Sequence, residues 1–359
     1  MNVRVISKSS KNRISILKIY IDLEELLMSI MGMREWFRKN RVIMGLILLL
    51  ILVGLLISYG LFGRNAAGSY SAADYEELVA QAREAYEADP TDPETVYALA
   101  QALANYTQYL SDNDAEQEEI NASDEEAVKY YDEYFGLMVD QAIATYQEDN
   151  SYANAYLVAQ YLSNRASVQS MRTGMDGTAL TTESNTWMIT AMNLRINDDN
   201  ADLAENPNNA DTLADLADAT AALAYYQHAN DDSFDAKPGY LESASLYLQA
   251  IENSDSDADK SEYYQKAGAY AYNADDLTNA EQYYSAALEL TPDDYDANTS
   301  MASFLLSAER YDEASALLEA YQATLSEDDS NYATLTSYIE YIQDKKNAAE
   351  NPTSDEDDE

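Results

Sequence analysis

Residues 261–294 read SEYYQKAGAYAYNADDLTNAEQYYSAALELTPDD, and the fold follows from that stretch. Tyr264, Ala267, Gly268 and Ala271 share one face of a first helix. Ala280, Tyr284 and Ala287 share one face of a second helix, and Pro292 marks its end. Gly268 and Ala280 are small because two helix backbones must approach closely there, while Tyr264 and Tyr284 fill the holes beside them. The acid pairs Asp275-Asp276 and Asp293-Asp294 fall in the inter-helix turns, where turn chemistry and helix N-capping favour carboxylates.

These residue types at these offsets resemble the tetratricopeptide repeat (TPR), a 34-residue helix–turn–helix unit. Ala267 stands where the family usually has Leu and Ala271 where it has Tyr, so the first helix packs more lightly than the family norm. Spacing recovers further repeats. A helix over 93–110 places Val96, Leu99, Ala100 and Leu103 at first-helix positions, and Ser123 to Glu126 form a capping box for the next helix. A helix over 151–168 follows, and residues 170–184 interrupt the array before Trp187. Leu213, Leu216 and Ala217 re-enter register, with Ser243, Tyr247 and Ala250 on the partner helix. Residues 295–328 continue without a gap, and a helix over 329–345 caps the end. The predicted fold is all-α: a TPR-like α-solenoid over 74–346, with about five helix pairs, a preceding half-repeat and a terminal cap. Residues 347–359 form an acidic tail expected to be disordered.

Charge divides the chain sharply. Residues 1–64 hold ten Lys and Arg against four acids, a net +6, and the remainder holds eleven against 61, a net −50. So negative a body does not bind nucleic acid or anionic lipid through its surface. Cysteine is absent, which excludes disulfides, thiolate metal sites, cysteine nucleophiles and a lipobox-type lipid anchor. His228 is the only histidine and follows Tyr225 and Tyr226 at a helix end, so His-based triads and metal centres are disfavoured.

Within the N-terminal part, Arg34, Arg38, Lys39 and Arg41 precede an uncharged apolar run from Val42 to Phe62. As a helix that run spans ~31 Å, the thickness of a bilayer's hydrocarbon core. The basic flank predicts a single-pass signal anchor over 42–62, with residues 1–41 cytoplasmic and everything after it outside the cell membrane. Its apolar core is too long for a cleaved signal peptide. Met28, Met31 and Met33 sit just before the basic stretch, which leads us to expect that residues 1–30 are not translated. Residues 63–73 are a small-residue linker.

Chemistry-bearing motifs are few. Asp255-x-Asp257-x-Asp259 begins like a calcium loop but has Lys260 at the sixth position and Lys266 at the twelfth, and Asp198-x-Asn200-x-Asp202 fails likewise. Both read as solvated connectors between helices. No phosphate-cradling glycine loop occurs. These residues predict no catalytic site, no metal and no cofactor.

The TPR resemblance implies a peptide groove along the inner face of the first helices. By offset, its residues here are Asp211, Asp218, Glu262, Gln265, Tyr272 and Asn273. None of them is basic, so the resemblance implies a protein or peptide partner that is basic or neutral. The whole resembles bacterial single-pass membrane-anchored TPR proteins, and the expected role is an extracytoplasmic scaffold in envelope assembly, export or quality control. An acidic cell-surface domain that binds cations or glycans is the alternative, and an enzyme ranks third.

Overall fold

The computed structural model describes residues 71–171 and 176–350. The chain divides into two compact units, residues 1–76 and 77–359. Residues 71–76 of the first unit open helix α1 (Ala72–Ala88). The predicted anchor 42–62, the linker and the acidic end lie outside the described residues, apart from 71–73 and 347–350. Among the described residues, no helix is long and apolar enough to cross a membrane.

Eleven further helices follow among the described residues. They are α2 (Pro93–Asp112), α3 (Gln117–Glu148), α4 (Tyr152–Ser170), α5 (Thr178–Glu205), α6 (Ala210–Asn230) and α7 (Lys237–Asn253). Then come α8 (Asp257–Asn273), α9 (Leu277–Leu290), α10 (Tyr295–Ser307), α11 (Tyr311–Gln322) and α12 (Tyr332–Glu350). From α2 onward each helix packs on the next. The array therefore reads as α1, then the pairs α2/α3, α4/α5, α6/α7, α8/α9 and α10/α11, then α12.

A small residue sits at the same place in every first helix: Ala100, Ala159, Ala217, Gly268 and Ala302, all buried. The Gly268 position shows why. A Cβ there would lie 3.0–3.1 Å from ring carbons of Tyr284 on α9, tighter than ordinary contact. The facing position on the second helix is Ser123, Ser184, Ser243, Ala280 or Ala314. In two of the pairs its hydroxyl donates across to the small residue's carbonyl, Ser184 to Ala159 at 2.8 Å and Ser243 to Ala217 at 2.6 Å. Ser123 reaches the Leu103 carbonyl at 3.4 Å and accepts from Thr107 at 2.8 Å. Burying a serine is tolerated because its one donor is satisfied.

That placement corrects the sequence reading of 123–126. Ser123 is not a cap: α3 begins six residues earlier, and the serine faces the neighbouring helix from within it. Polar composition hid the extra turn. The same happens in α5, which starts at Thr178 rather than near Trp187, with Leu180 packed against α4. Asp198, Asn200 and Asp202 lie inside α5 and not in a connector. At the other end α12 runs on through Asn347 to Glu350, so the first residues of the acidic end are helical.

Acids do cap other helices. Asp92, Asp276 and Asp294 accept from backbone N–H groups of α2, α9 and α11's predecessor α10, as Asn209 and Ser256 do for α6 and α8. The turn inside each of the last two pairs uses a left-handed residue, Asp275 (φ 62°) and Glu309 (φ 59°), 34 positions apart. The next N–H then bonds back across the helix end, Asp276 to Ala271 at 2.9 Å and Arg310 to Leu305 at 2.8 Å.

The core is a succession of apolar clusters along the array. Leu99, Leu103 and Tyr130 centre the first, Val158 and Leu162 the next, and Leu213, Tyr247 and Tyr263 a later one. Phe304, Leu318, Leu335 and Ile342 close the C-terminal end. Cations link the layers. Arg83 pairs with Glu126, Arg165 with Asp132, Arg195 with Asp215, Lys237 with Asp275, Lys266 with Asp218, Arg310 with Glu281 and Lys346 with Asp312, each pair joining different elements.

Two substitutions test this architecture. Ala280→Trp overpacks the α8/α9 contact and costs ~1–3 kcal/mol or more, with hydrogen exchange rising first across α7–α11. Glu309→Gly relieves the left-handed strain and gains about 1 kcal/mol in urea denaturation.

Candidate functional site

The first helices of successive pairs touch each other through a row of polar side chains. From α6 to α8, Tyr263 donates to Asp211 Oδ1 at 3.1 Å and Tyr270 donates to Asp218 Oδ1 at 2.7 Å. From α8 to α10, Ser300 donates to Gln265 Oε1 at 3.2 Å, and from α10 to α12 the Ser303 and Tyr338 hydroxyls lie 2.7 Å apart. The spacing of the bonds is helical: Asp211 and Asp218 are seven residues apart, as are Tyr263 and Tyr270, so two full turns of each helix are in register.

Burial, and next the charge of Asp218, raise the Tyr270 hydroxyl above its ordinary range. Burial and then Asp211 do the same for Tyr263. Both tyrosines therefore stay protonated as donors at any physiological pH. Tyr247 of α7 packs on Tyr263 and Tyr270 with ring centroids 5.7 and 6.0 Å away, and Tyr240 stacks on Tyr270 at 6.2 Å.

Of the six sequence-predicted groove residues, Asp211, Asp218 and Gln265 take part in this row. Glu262, Tyr272 and Asn273 are exposed on α8 beside it. Tyr272 is 37% exposed and lays its ring edge-on to Phe304 of α10 at 6.2 Å. One cation from outside the six mapped positions also reaches the row. Lys266 extends from α8 to within 3.8 Å of Asp218 Oδ2, because the α8 residue next to Gln265 faces back toward α6.

The repeated layers, the 34-residue spacing of the turns and the first-helix row define a repeat family. Residues 271–337, from the end of α8 into α12, match the family model described as tetratricopeptide repeat. Over those residues the chain is similar to tetratricopeptide repeats. A comparison with curated proteins gave no match.

Among solved structures, yeast Tom70 is similar at 12% identity and a TM-score of 0.32, over 78% of this chain and 61% of that one. The assembly chaperone of RpL4 (Acl4, residues 1–338) is similar at 15% identity and a TM-score of 0.33, over 84% and 98%. BtubC (BKLC) from P. vanneervenii is similar at 14% identity and a TM-score of 0.27, over 77% and 91%. The chain thus spans about three fifths of the length of Tom70. TPR arrays are protein-interaction scaffolds and typically non-catalytic.

In the array the N-terminal first helices carry a second set of residues, which the charge-led sequence reading passed over. On α2 these are Tyr97, Gln101 and Asn105, and on α4 they are Tyr156, Gln160 and Asn164. Each set is spaced i, i+4, i+8, a single helix face. The Tyr and Asn of each set occupy the offsets that Gln265 and Asn273 occupy on α8, and the Gln stands at the offset of Ala269. The recurrence of Tyr-x3-Gln-x3-Asn is visible in the sequence once the first helices are aligned. Among the described residues, none of the four amides has a hydrogen-bond partner. Tyr97 is 40% exposed, with its ring against Tyr131 and Tyr134 at 6.0 and 5.0 Å. The first-helix row therefore has an uncharged amide–tyrosine half (α2, α4) and an acidic half (α6, α8).

The row's contribution to coupling is measurable. Tyr270→Phe leaves a part-buried carboxylate without its donor and lowers stability by about 1–2 kcal/mol in urea denaturation. Glu262→Gln, at an exposed neighbouring site, stays within about 0.5 kcal/mol of the parent.

Proposed function

We propose that the chain is a membrane-anchored, extracytoplasmic TPR scaffold that holds a protein partner of the cell envelope during assembly, export or quality control. Residues 42–62 are its single-pass anchor, with the N-terminus cytoplasmic and the repeats outside. The reading assigns no catalysis, cofactor or metal. What carries it is the open face beside the first-helix row. Glu262, Tyr272 and Asn273 stand exposed there, next to a carboxylate pair already fixed in position by tyrosine hydroxyls.

A side chain fixed in advance loses little entropy on binding, so such a face favours a partner that presents Lys or Arg beside an apolar contact for Tyr272. The uncharged half on α2 and α4 suits a neutral stretch of the same partner, since its amides can both donate and accept. That half also favours the alternative, a surface domain that takes glycans, because tyrosine faces and free amides are what sugar rings and hydroxyls meet.

Capture with the full chain in detergent tests the scaffold. A stoichiometric protein partner is expected, weakened at least about tenfold by Glu262→Gln with Tyr272→Ala and bound more slowly as salt rises past ~0.15 M. The control is Glu289→Gln with Glu319→Gln on second helices, since Glu281 is tied to Arg310. Equal loss in both double variants shows that charge acts generally and removes the face assignment. Saturable binding of a neutral hexasaccharide without any protein partner favours the alternative. For topology, protease added to intact spheroplasts is expected to degrade the chain beyond residue 70, and full protection reverses the orientation.

A further inference from the structure

The boundary between the two halves of the first-helix row is built differently from the joints around it. Arg195 and Asp199 lie one turn apart on α5, and Arg195 Nε is 3.0 Å from each Asp199 carboxylate oxygen. The same guanidinium reaches Asp215 Oδ2 of α6 at 2.6 Å and lies over the ring of Tyr152 of α4 at 5.6 Å. One cation therefore ties three helices: the second helix of one pair and the first helices of that pair and the next. Asp199 is only 5% exposed. Its counterpart Asp215 on α6 keeps contact with solvent, as do both members of most other cross-helix pairs, so Asp199 is the carboxylate that burial sets apart.

The charges here do not balance. Asp199 and Asp215 share Arg195, so the trio carries one net negative charge where water is partly excluded. The other acids turned toward it add to the excess, Asp202 from α5 and Asp211 and Asp218 from α6, while the Tyr152 hydroxyl from α4, raised by burial, stays neutral. Lys266 is the further cation at hand, and it lies against Asp218 rather than Asp199.

We propose that the α5–α6 joint is a proton-operated coupling between the uncharged and acidic halves of the array: a proton on Asp199 leaves Arg195 to Asp215 alone, removes the uncompensated charge and tightens the joint. Burial, opposed by Arg195 and reinforced by Asp215 and Asp202, pushes Asp199 up to about 6. The folded chain then holds that proton more tightly than the unfolded one. The contribution to stability is full below the ordinary carboxylate range and is lost as pH rises through about 6. The array is stiffer between its halves in a mildly acidic medium and looser at neutral pH. The inference stands on this joint's own geometry and is independent of the scaffold reading.

Hydrogen exchange of the full chain at pH 5 and pH 7, corrected for the chemical exchange rate, tests it. Amides of α5 and α6 are expected to gain up to about tenfold protection at pH 5, with α10 and α11 as the internal reference. Asp199→Asn, which mimics the protonated group, is expected to show that protection at both pH values, while Asp202→Asn keeps the parent's dependence. A gain shared equally by α10 and α11 overturns the proposal, as does no gain at α5 and α6. Lower protection in Asp199→Asn than in the parent at pH 7 also overturns it, because the ionised pair would then be the tighter state. The parent's own comparison decides the question even where a variant does not fold.

Discussion

The closeness of two helix backbones within each pair is the constraint on which the rest depends. Where Ala100, Ala159, Ala217, Gly268 and Ala302 cross their partners there is no room for a longer side chain. Everything larger is displaced to either side of that crossing. Aromatic rings fill one flank, as Tyr284 does beneath Gly268, and Leu or Phe from the next pair fills the other. The lightness of the first helices, with Ala267 and Ala271 where bulkier residues are usual, shifts the packing load onto tyrosines of neighbouring layers. This accounts for the stacked set formed by Tyr240, Tyr247, Tyr263 and Tyr270.

The serine form of the crossing belongs to the first three pairs and the alanine form to the last two. Ser184 and Ser243 turn a steric contact into a directional one, because a hydroxyl must find a particular carbonyl. The second helices of those pairs are also a turn longer before the crossing than α9 and α11. The crossing point is thus registered by hydrogen bonds in the N-terminal part of the array and by shape in the C-terminal part, where Ser261 of α8 instead bonds to the Ala287 carbonyl away from the crossing.

Much of this was legible from spacing. The stretch 261–294 showed both helices, their crossing and the turn, because each position there follows the repeat's steric logic. Helix starts were less legible where polar residues lead in. Gln117 to Asn121 and Thr178 to Thr182 carry little apolar signal, yet both segments are helical because their later residues are held by packing. The candidate groove was legible in part. Offsets found Asp211, Asp218 and Gln265, but the tyrosine hydroxyls that fix the two aspartates come from a neighbouring layer, and sequence distance conceals such contacts. Lys266 escaped because its place follows from how α8 is rotated against α6. The Arg195 joint left no periodic trace, since it depends on three helices converging.

Seven basic side chains are turned toward other helices of their own array. To a molecule arriving from outside, each of these cations is already matched by an acid of its own array, and the acids in excess set the sign of the surface. Two copies brought side by side repel over a screening distance of ~8 Å at physiological ionic strength. The array therefore carries its own spacer: it can be crowded without stacking, and a partner of opposite charge can enter where a second copy cannot.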